Sequence, residues 1–215
     1  MIEAVLFDLD GTLADSAPDL GDALNLLLVE EDRRPLPLEQ TRPHTSNGVR
    51  GLVGAGFGLT PADEAYAGLA KRFLDHYENI LCRGTKLFPG VKELLDTLDR
   101  RGIPWGIVTN KMQRFTLPLV ERLGLRQGAA CVVSGDSAPR AKPHPEPLLL
   151  ACIATQVAPS RSLYVGDDLR DIQAGRTAGM IPVAAAYGYL GFGAPPSSWQ
   201  ADSIIFQPGE ILGLL

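Results

Sequence analysis

Ala4-Val5-Leu6-Phe7-Asp8-Leu9-Asp10-Gly11-Thr12 is the stretch on which the reading of this chain turns. Its first half is a near-continuous apolar run. Such a run suits a strand covered on both faces in a parallel sheet, which has no solvent side for alternating polar residues. Its second half is a turn signal that carries two carboxylates. Similar apolar runs recur at 103–109, 130–134, 162–165 and 182–186, each separated from the next by a helix-like stretch. Val91, Leu94, Leu95 and Leu98 form one helical stripe that stops at Gly102, and the helix read over 169–178 stops at Gly179. A third helix, around 112–123, contains Pro118 and is expected to kink there or to begin late, with Gly124 closing it. Alternating strands and helices on short connections predict an α/β, doubly wound parallel sheet that binds ligands beyond the carboxyl ends of its strands.

One stretch breaks the alternation. Residues 16–84 carry no good strand signal and read as an inserted helical unit. Ser16-Ala17-Pro18 is an N-cap with proline near the first helical position, and Leu20, Leu24, Leu27 and Leu28 share one face of the helix it opens. A second helix is expected from Pro61, with Thr60 as N-cap, Asp63 three residues on, and Leu69, Phe73, Tyr77 and Ile80 as its buried stripe. Residues 35–58, rich in Gly, Pro and polar side chains, read as the loop between them.

Composition narrows the function classes. The chain has 215 residues, so one core domain with a modest insertion is expected. Hydrophobic residues make up 45% and charged residues 21%, enough to bury a real core. Twenty Lys and Arg against 25 Asp and Glu give a net charge of −5 without a basic cluster, which argues against a nucleic-acid surface. Cys82, Cys131 and Cys152 cannot all pair within one chain and follow no metal-type spacing, as expected in a reducing compartment. With no apolar run of about 18 residues and neither a basic region nor a cleavage site at the N-terminus, a cytoplasmic protein without a membrane partner is expected, as a monomer or homodimer.

Four strand ends carry the chemistry. Asp8 and Asp10 follow the first strand, where one ionised carboxylate can act as nucleophile and the other can exchange protons with a leaving group and water. Taken alone the pentapeptide is also a plain Asp-Gly turn. Gly166-Asp167-Asp168-Leu169-Arg170-Asp171 puts further carboxylates at a later strand end, where an acidic helix N-terminus would look the same. So many acids in one crevice repel unless a cation lies among them, and oxygen-only ligands select a hard ion such as Mg²⁺. Thr109-Asn110-Lys111 ends the second strand, and Lys142-Pro143 follows the third across a short loop. Their hydroxyl, amide and ammonium groups, with backbone N–H groups near Gly11, would complement phosphate oxygens. Four such sites in chain order are a stronger signal than any one.

On these residues the sequence resembles the haloacid dehalogenase-type phosphohydrolases: Asp8 to Thr12 match that family's first motif, Thr109 the second, Lys142 the third, and Gly166-Asp167-Asp168 with Asp171 the fourth. The resemblance spans nearly the whole chain. It implies a Rossmann-like core formed by 1–15 and 85–215, and a helical cap formed by 16–84. It also implies that Asp8 attacks phosphorus to give an aspartyl phosphate, while Asp10 protonates the leaving oxygen and then activates water. Thr109 and Lys142 would hold the phosphoryl group. Mg²⁺ would be bound by the Asp8 carboxylate, the Asp10 main-chain carbonyl and Asp167, with Asp168 or Asp171 reaching it directly or through water. Dehalogenases of this fold lack the second acid, so Asp10 argues against dehalogenation.

Lys86-Leu87-Phe88-Pro89-Gly90, Thr109-Asn110-Lys111 and 142–148 resemble the phosphoglycolate phosphatase branch, although Met112 stands where Pro often follows the Asn-Lys pair. Trp105-Gly106, 166–172, Tyr187-Gly188-Tyr189 and Trp199-Gln200-Ala201-Asp202 resemble the N-acetylmuramic acid 6-phosphate phosphatases of cell-wall recycling. The expected partner is therefore a small phosphorylated metabolite. Its leaving group must be read by the cap, where Ser46, Asn47, Gly48 and Arg50 offer backbone donors, an amide and a cation suited to a carboxylate. Lys111, Arg114 and His144 are further candidates. Other readings of the same residues are a sugar phosphomutase of this fold and a catalytically silent binding protein on it.

Overall fold

The computed structural model describes residues 1–215. In chain order it contains β1 (Ala4–Phe7), β2 (Ala14–Asp15), α1 (Ala17–Glu30), α2 (Leu38–Thr41), α3 (Gly48–Phe57), α4 (Tyr66–Ile80) and β3 (Lys86–Leu87). Then come α5 (Val91–Arg100), β4 (Trp105–Val108), α6 (Gln113–Arg122), β5 (Cys131–Val133), α7 (Glu146–Thr155), β6 (Ser162–Gly166), α8 (Leu169–Ala178), β7 (Ile181–Ala185) and β8 (Ser203–Ile205).

Six strands form one parallel sheet in the order β5-β4-β1-β6-β7-β8. Strand β1 lies in the middle, with all four residues buried, and both faces of it are covered. Val5 and Phe7 pack in one cluster with Val91, Leu94 and Leu98 of α5. Leu6 points the other way, into a second cluster with Leu148 and Ala151 of α7 and Ala174 of α8. That two-sided burial is why the run shows no polar alternation. Because β4 and β6 flank β1 on opposite sides, the carboxyl ends of these three strands open into one crevice where the winding reverses.

Between β2 and β3 the chain is helical. Leu20, Leu24, Leu27 and Leu28 of α1 pack with Leu52 and Val53 of α3 and with Phe73, Tyr77 and Ile80 of α4, in the cluster that also holds Val5 and Phe7. The two connections flanking this segment are stitched together by an antiparallel ribbon that pairs Ala14 with Leu87 and Asp15 with Lys86. No helix is long and apolar enough to cross a membrane.

Several local readings need correction. Helix α4 starts at Tyr66, not at Pro61. The backbone N–H and hydroxyl of Thr60 both donate to Asp63 Oδ2, at 2.7 and 2.8 Å, so the pair closes a turn instead of opening a helix. Leu69 is half-buried there, while Phe73, Tyr77 and Ile80 are buried. Residues 35–58 are not a loop: they hold α2, a 3-10 turn over Arg42–Asn47, and α3. Glycine usually weakens a helix, but a Cβ on Gly56 would stand 2.9 Å from Leu24 Cδ1, so its absence lets α3 lie close on α1. Helix α6 does not wait for Pro118. It begins at Gln113, whose amide donates at 2.8 Å to Asp136 Oδ1, a cap from a distant loop. Pro118 sits inside it.

Candidate active site

Asp8 extends β1 by one further bond, its amide donating to the Val165 carbonyl at 2.8 Å. The chain then turns at Gly11, which has φ +88 and donates to the Ala14 carbonyl at 2.9 Å. The Gly11 amide is therefore spent inside the chain, against the expectation that it serves a phosphate. The neighbouring amides of Leu9 and Asp10 donate to nothing within the chain. A side chain at Gly11 would also run into the carboxylate of Asp167, so glycine is needed for both the backbone conformation and the close approach.

Asp167 ends β6. It accepts from the Thr12 hydroxyl at 3.2 Å and from the Tyr189 amide at 2.8 Å. Helix α8 starts immediately afterwards with a capping box: Asp168 Oδ1 accepts the Arg170 amide at 2.9 Å, and Asp171 Oδ2 accepts the Asp168 amide at 3.1 Å. The remaining oxygen of Asp171 turns inward. One carboxylate oxygen each from Asp8, Asp167 and Asp171 lies within 4.8 Å of the others.

A single cation faces this trio closely. Lys142 Nζ lies 2.9 Å from Asp8 Oδ1 and 2.8 Å from Asp171 Oδ1, and it also bonds the Val108 carbonyl at 2.9 Å and the Tyr164 hydroxyl at 2.7 Å. Asn110 holds Lys142 in place through both of its polar atoms. Its amide nitrogen donates to the Lys142 carbonyl and its oxygen accepts the Lys142 amide, each at 2.9 Å. Asn110 therefore positions the lysine, and its amide is not free for a phosphate as expected. Thr109 is buried, and its Oγ1 accepts from the Lys111 amide at 3.1 Å.

Three acids around one lysine leave excess negative charge in a buried place. Burial pushes the Asp8 carboxyl up to about 6; Lys142 pulls it down and Asp171 adds to the rise. Burial likewise drives Asp167 well above the usual carboxylate range, with Asp8 and Asp171 pushing the same way. Two buried carboxyls that resist ionisation for want of positive charge, beside a third acid, fit a hard divalent cation. Asp8, Asp167 and Asp171 could hold it.

Two other residues expected at the metal are engaged differently. Asp168 stands outside the trio, clamped by Arg170, whose Nε and Nη2 reach its two oxygens at 2.8 Å each. That pairing holds the Asp168 carboxyl below its usual range against the opposing effect of burial. The Asp10 side chain binds Lys111 Nζ through Oδ1 at 2.9 Å and Oδ2 at 3.0 Å, and it accepts the Ser16 hydroxyl. The Asp10 main-chain carbonyl, the donor expected of it, accepts no hydrogen bond within the chain.

These groups line one cavity of about 280 Å³. Asp8, Asp10, Thr109, Lys142, Asp167 and Asp171 face it from the strand ends, and Leu20, Thr45, Ser46, Asn47, Gly48, Val49, Phe73, Leu74 and Tyr77 face it from the helical segment. Ser46, Asn47 and Gly48 thus lie where the sequence suggested, at the start of a helix and not in a loop. Arg50 does not. It is exposed, outside the lining and near Tyr66. Of the further candidates only Lys111 reaches the cavity; Arg114 is exposed with its guanidinium 4.4 Å over the Phe115 ring, and His144 lies beside Glu146.

The structure adds three residues for which the sequence reading had no role. Arg170 Nη2 donates to the Ser46 carbonyl at 2.5 Å, tying α8 to the helical segment. Tyr77 stands beneath the Lys111 ammonium, its ring centre 4.8 Å away. The Tyr189 hydroxyl accepts the amides of Ser16 at 2.7 Å and Ala17 at 3.0 Å and lies 3.1 Å from Asp15 Oδ1. The signal for Tyr189 was its place in the Tyr187-Gly188-Tyr189 stretch that carried part of the resemblance, which gave it no role of its own.

A family model described as haloacid dehalogenase-like hydrolase matches residues 5–185. The chain is 40% identical to the N-acetylmuramic acid 6-phosphate phosphatase of Pseudomonas aeruginosa over 214 residues, covering 100% of this chain and 95% of that one. It is 43% identical to the phosphoglycolate phosphatase of Xanthomonas campestris over 208 residues, covering 97% and 94%. Among solved structures, a predicted phosphoglycolate phosphatase from Haemophilus somnus superposes with a TM-score of 0.87 at 28% identity, covering 99% of this chain and 97% of that one.

Proposed function

The chain belongs to the haloacid dehalogenase-like hydrolases and is a phosphatase; from that premise we propose that it hydrolyses a small phosphate monoester through an aspartyl phosphate on Asp8. The observation that carries this reading is the convergence of Asp8, Asp10, Thr109 and Lys142 on one cavity, with Lys142 Nζ 2.9 Å from Asp8 Oδ1.

In the first step an Asp8 oxygen bonds to phosphorus as the ester P–O bond breaks, and Asp10 gives a proton to the departing oxygen. In the second, Asp10 takes a proton from water as the water oxygen attacks phosphorus, releasing inorganic phosphate and the Asp8 carboxylate. Thr109, Lys142 and the unpaired amides of Leu9 and Asp10 hold the phosphoryl oxygens, and their placement before reaction is the source of the rate gain. Asp8, Asp167 and Asp171, with the Asp10 carbonyl, would hold Mg²⁺, whose charge offsets that of the phosphate and of the acids. Residues 16–84 act in this reading as a cap that closes over the crevice, with its hinges at the β2–β3 ribbon, and keeps bulk water from the intermediate.

The substrate we favour is N-acetylmuramic acid 6-phosphate, with 2-phosphoglycolate as the rival. A two-carbon leaving group would leave Val49, Phe73 and Leu74 without a partner, whereas an acetylated sugar has apolar surface to set against them. The three unpaired thiols suit the cytoplasmic setting that such a substrate requires. The test is kcat/KM for both esters with Mg²⁺, using Asp8→Asn as the blank. A clear preference for the amino-sugar ester supports the reading, preference for 2-phosphoglycolate replaces the substrate, and Asp8→Asn as active as the wild type ends the mechanism.

A further inference from the structure

Three cations line the cavity, and they differ in what their donors are already doing. Lys142 has its ammonium filled by Asp8, Asp171 and Val108, all at the phosphate end. Arg170 has Nε and Nη2 committed to Asp168 and to the Ser46 carbonyl. Lys111 has three ammonium hydrogens and gives two of them to Asp10, at 2.9 and 3.0 Å. Its third hydrogen makes no hydrogen bond of good geometry within the chain, and the only group beside it is the buried Tyr77 hydroxyl, which is itself without a partner.

The place of that ammonium is as informative as its valence. Its side chain is only 8% exposed. It touches Asp10 on the catalytic side and stands 4.8 Å over the ring of Tyr77 on the cap side, at the border between the phosphate end and the apolar roof. A leaving group whose ester oxygen takes a proton from Asp10 must extend through this border. Burial works against the charge, but the Asp10 carboxylate and the Tyr77 hydroxyl more than offset it and keep Lys111 above the usual lysine range, so the ammonium is charged at neutral pH.

We propose that Lys111 is the residue that selects leaving groups bearing a carboxylate, giving its unspent N–H to that anion while its other two stay on Asp10. The proposal rests on the phosphatase reading above, because it takes Asp10 to face the leaving group. It names a class of substrate, not one compound: phosphate monoesters with an anionic group on the leaving side.

Two matched pairs test it. N-acetylmuramic acid 6-phosphate is compared with N-acetylglucosamine 6-phosphate, the same amino sugar without the lactyl acid, and 2-phosphoglycolate is compared with ethyl phosphate. For the wild type, Lys111→Met and Lys111→Arg, the quantity read is the ratio of kcat/KM within a pair. A charge-assisted hydrogen bond is worth roughly 10- to 100-fold. The wild type should prefer the acid member by about that factor, Lys111→Met should collapse the ratio towards one, and Lys111→Arg should retain most of it. Because Lys111→Met also disturbs Asp10, the same ratio is read as Kd by calorimetry in an Asp8→Asn background, where turnover is blocked. Loss of discrimination there supports the proposal; an unchanged ratio, or equal weakening of both members, overturns it. A wild type that hydrolyses neither pair would refute the phosphatase reading, while the Kd ratio would still decide the role of Lys111.

Discussion

The amide of Tyr189 donates to Asp167 Oδ2 at 2.8 Å, and the hydroxyl of the same residue accepts the amides of Ser16 and Ala17 at the start of α1. One residue therefore joins an acid of the buried trio, through its backbone, to the point where the helical segment leaves the sheet, through its side chain. The bidentate pair of Arg42 with Asp15, 2.9 Å at both contacts, lies against the same ring.

Tyr189→Phe should accordingly cost more than one average hydrogen bond, because it strands two buried donors at once. Each unsatisfied buried amide costs about 1–3 kcal/mol. Urea denaturation should show a loss of stability in that range or above it. A change below about 0.5 kcal/mol would mean that water reaches these amides and that Tyr189 does not hold the hinge.

Lys142 is the cation in direct contact with the trio, paired with Asp8 and Asp171, so its removal acts on folding and on chemistry together. Breaking a buried ion pair from one side typically costs about 3–5 kcal/mol. Lys142→Met should lose stability on that scale in chelator, and Mg²⁺ should restore more of it than it adds to the wild type, since a bound cation then replaces the missing charge. Turnover should fall by roughly 10²–10³-fold even with Mg²⁺ saturating. Equal Mg²⁺ stabilisation of the two proteins would argue that the trio is not where the ion binds.

Acidity gives a separate handle. Burial pushes the Asp8 carboxyl up to about 6 in the folded chain, against 3.8 for the ordinary group. A carboxyl whose folded value is raised binds its proton more tightly in the native state, so its contribution is present at low pH and is lost as pH rises from about 4 to 6. In chelator, stability should therefore decline over that window by more in the wild type than in Asp8→Asn, which carries no such proton. Mg²⁺ should flatten the decline, because it binds the ionised form. Thermal melts at pH 4, 5, 6 and 7, with and without Mg²⁺, are sufficient, and identical slopes for the two proteins would contradict the burial of Asp8.

Much of this architecture was legible in the sequence because β1, β4 and β6 are buried on both faces, so their apolar runs stand out without long-range information. The residues that close those runs inherit their positions from the sheet, which is why Asp8, Thr109 and Asp167 could be placed together in advance. What escaped was set by partners distant in the chain. The start of α6 depends on Asp136, the β2–β3 ribbon has two residues per strand and so no period to detect, and α3 hides behind glycines that serve its packing on α1. The choice between Asp168 and Asp171 was open for the same reason. Both are acids at a helix start, and only their partners differ: Asp168 is paired with Arg170 and Asp171 with Lys142.

Glycine substitutions separate geometry that serves the site from mere chain flexibility. Gly11 combines φ +88 with a missing Cβ whose place is already occupied by the Asp167 carboxylate. Gly11→Ala must bear about 1–2 kcal/mol for the left-handed backbone and must also displace Asp167 from Asp8 and Asp171. Both stability and Mg²⁺ affinity should drop, the latter by more than tenfold in a calorimetric titration. Gly68 is the contrast: it lies on the exposed face of α4, has ordinary helical φ and has open space where its Cβ would go. Gly68→Ala should stabilise the protein by about 0.5–1 kcal/mol through helix propensity and leave Mg²⁺ binding unchanged. If Gly11→Ala bound Mg²⁺ as the wild type does, Asp167 would have to keep its place beside Asp8 without the space that Gly11 provides, and its assignment to the metal would fail.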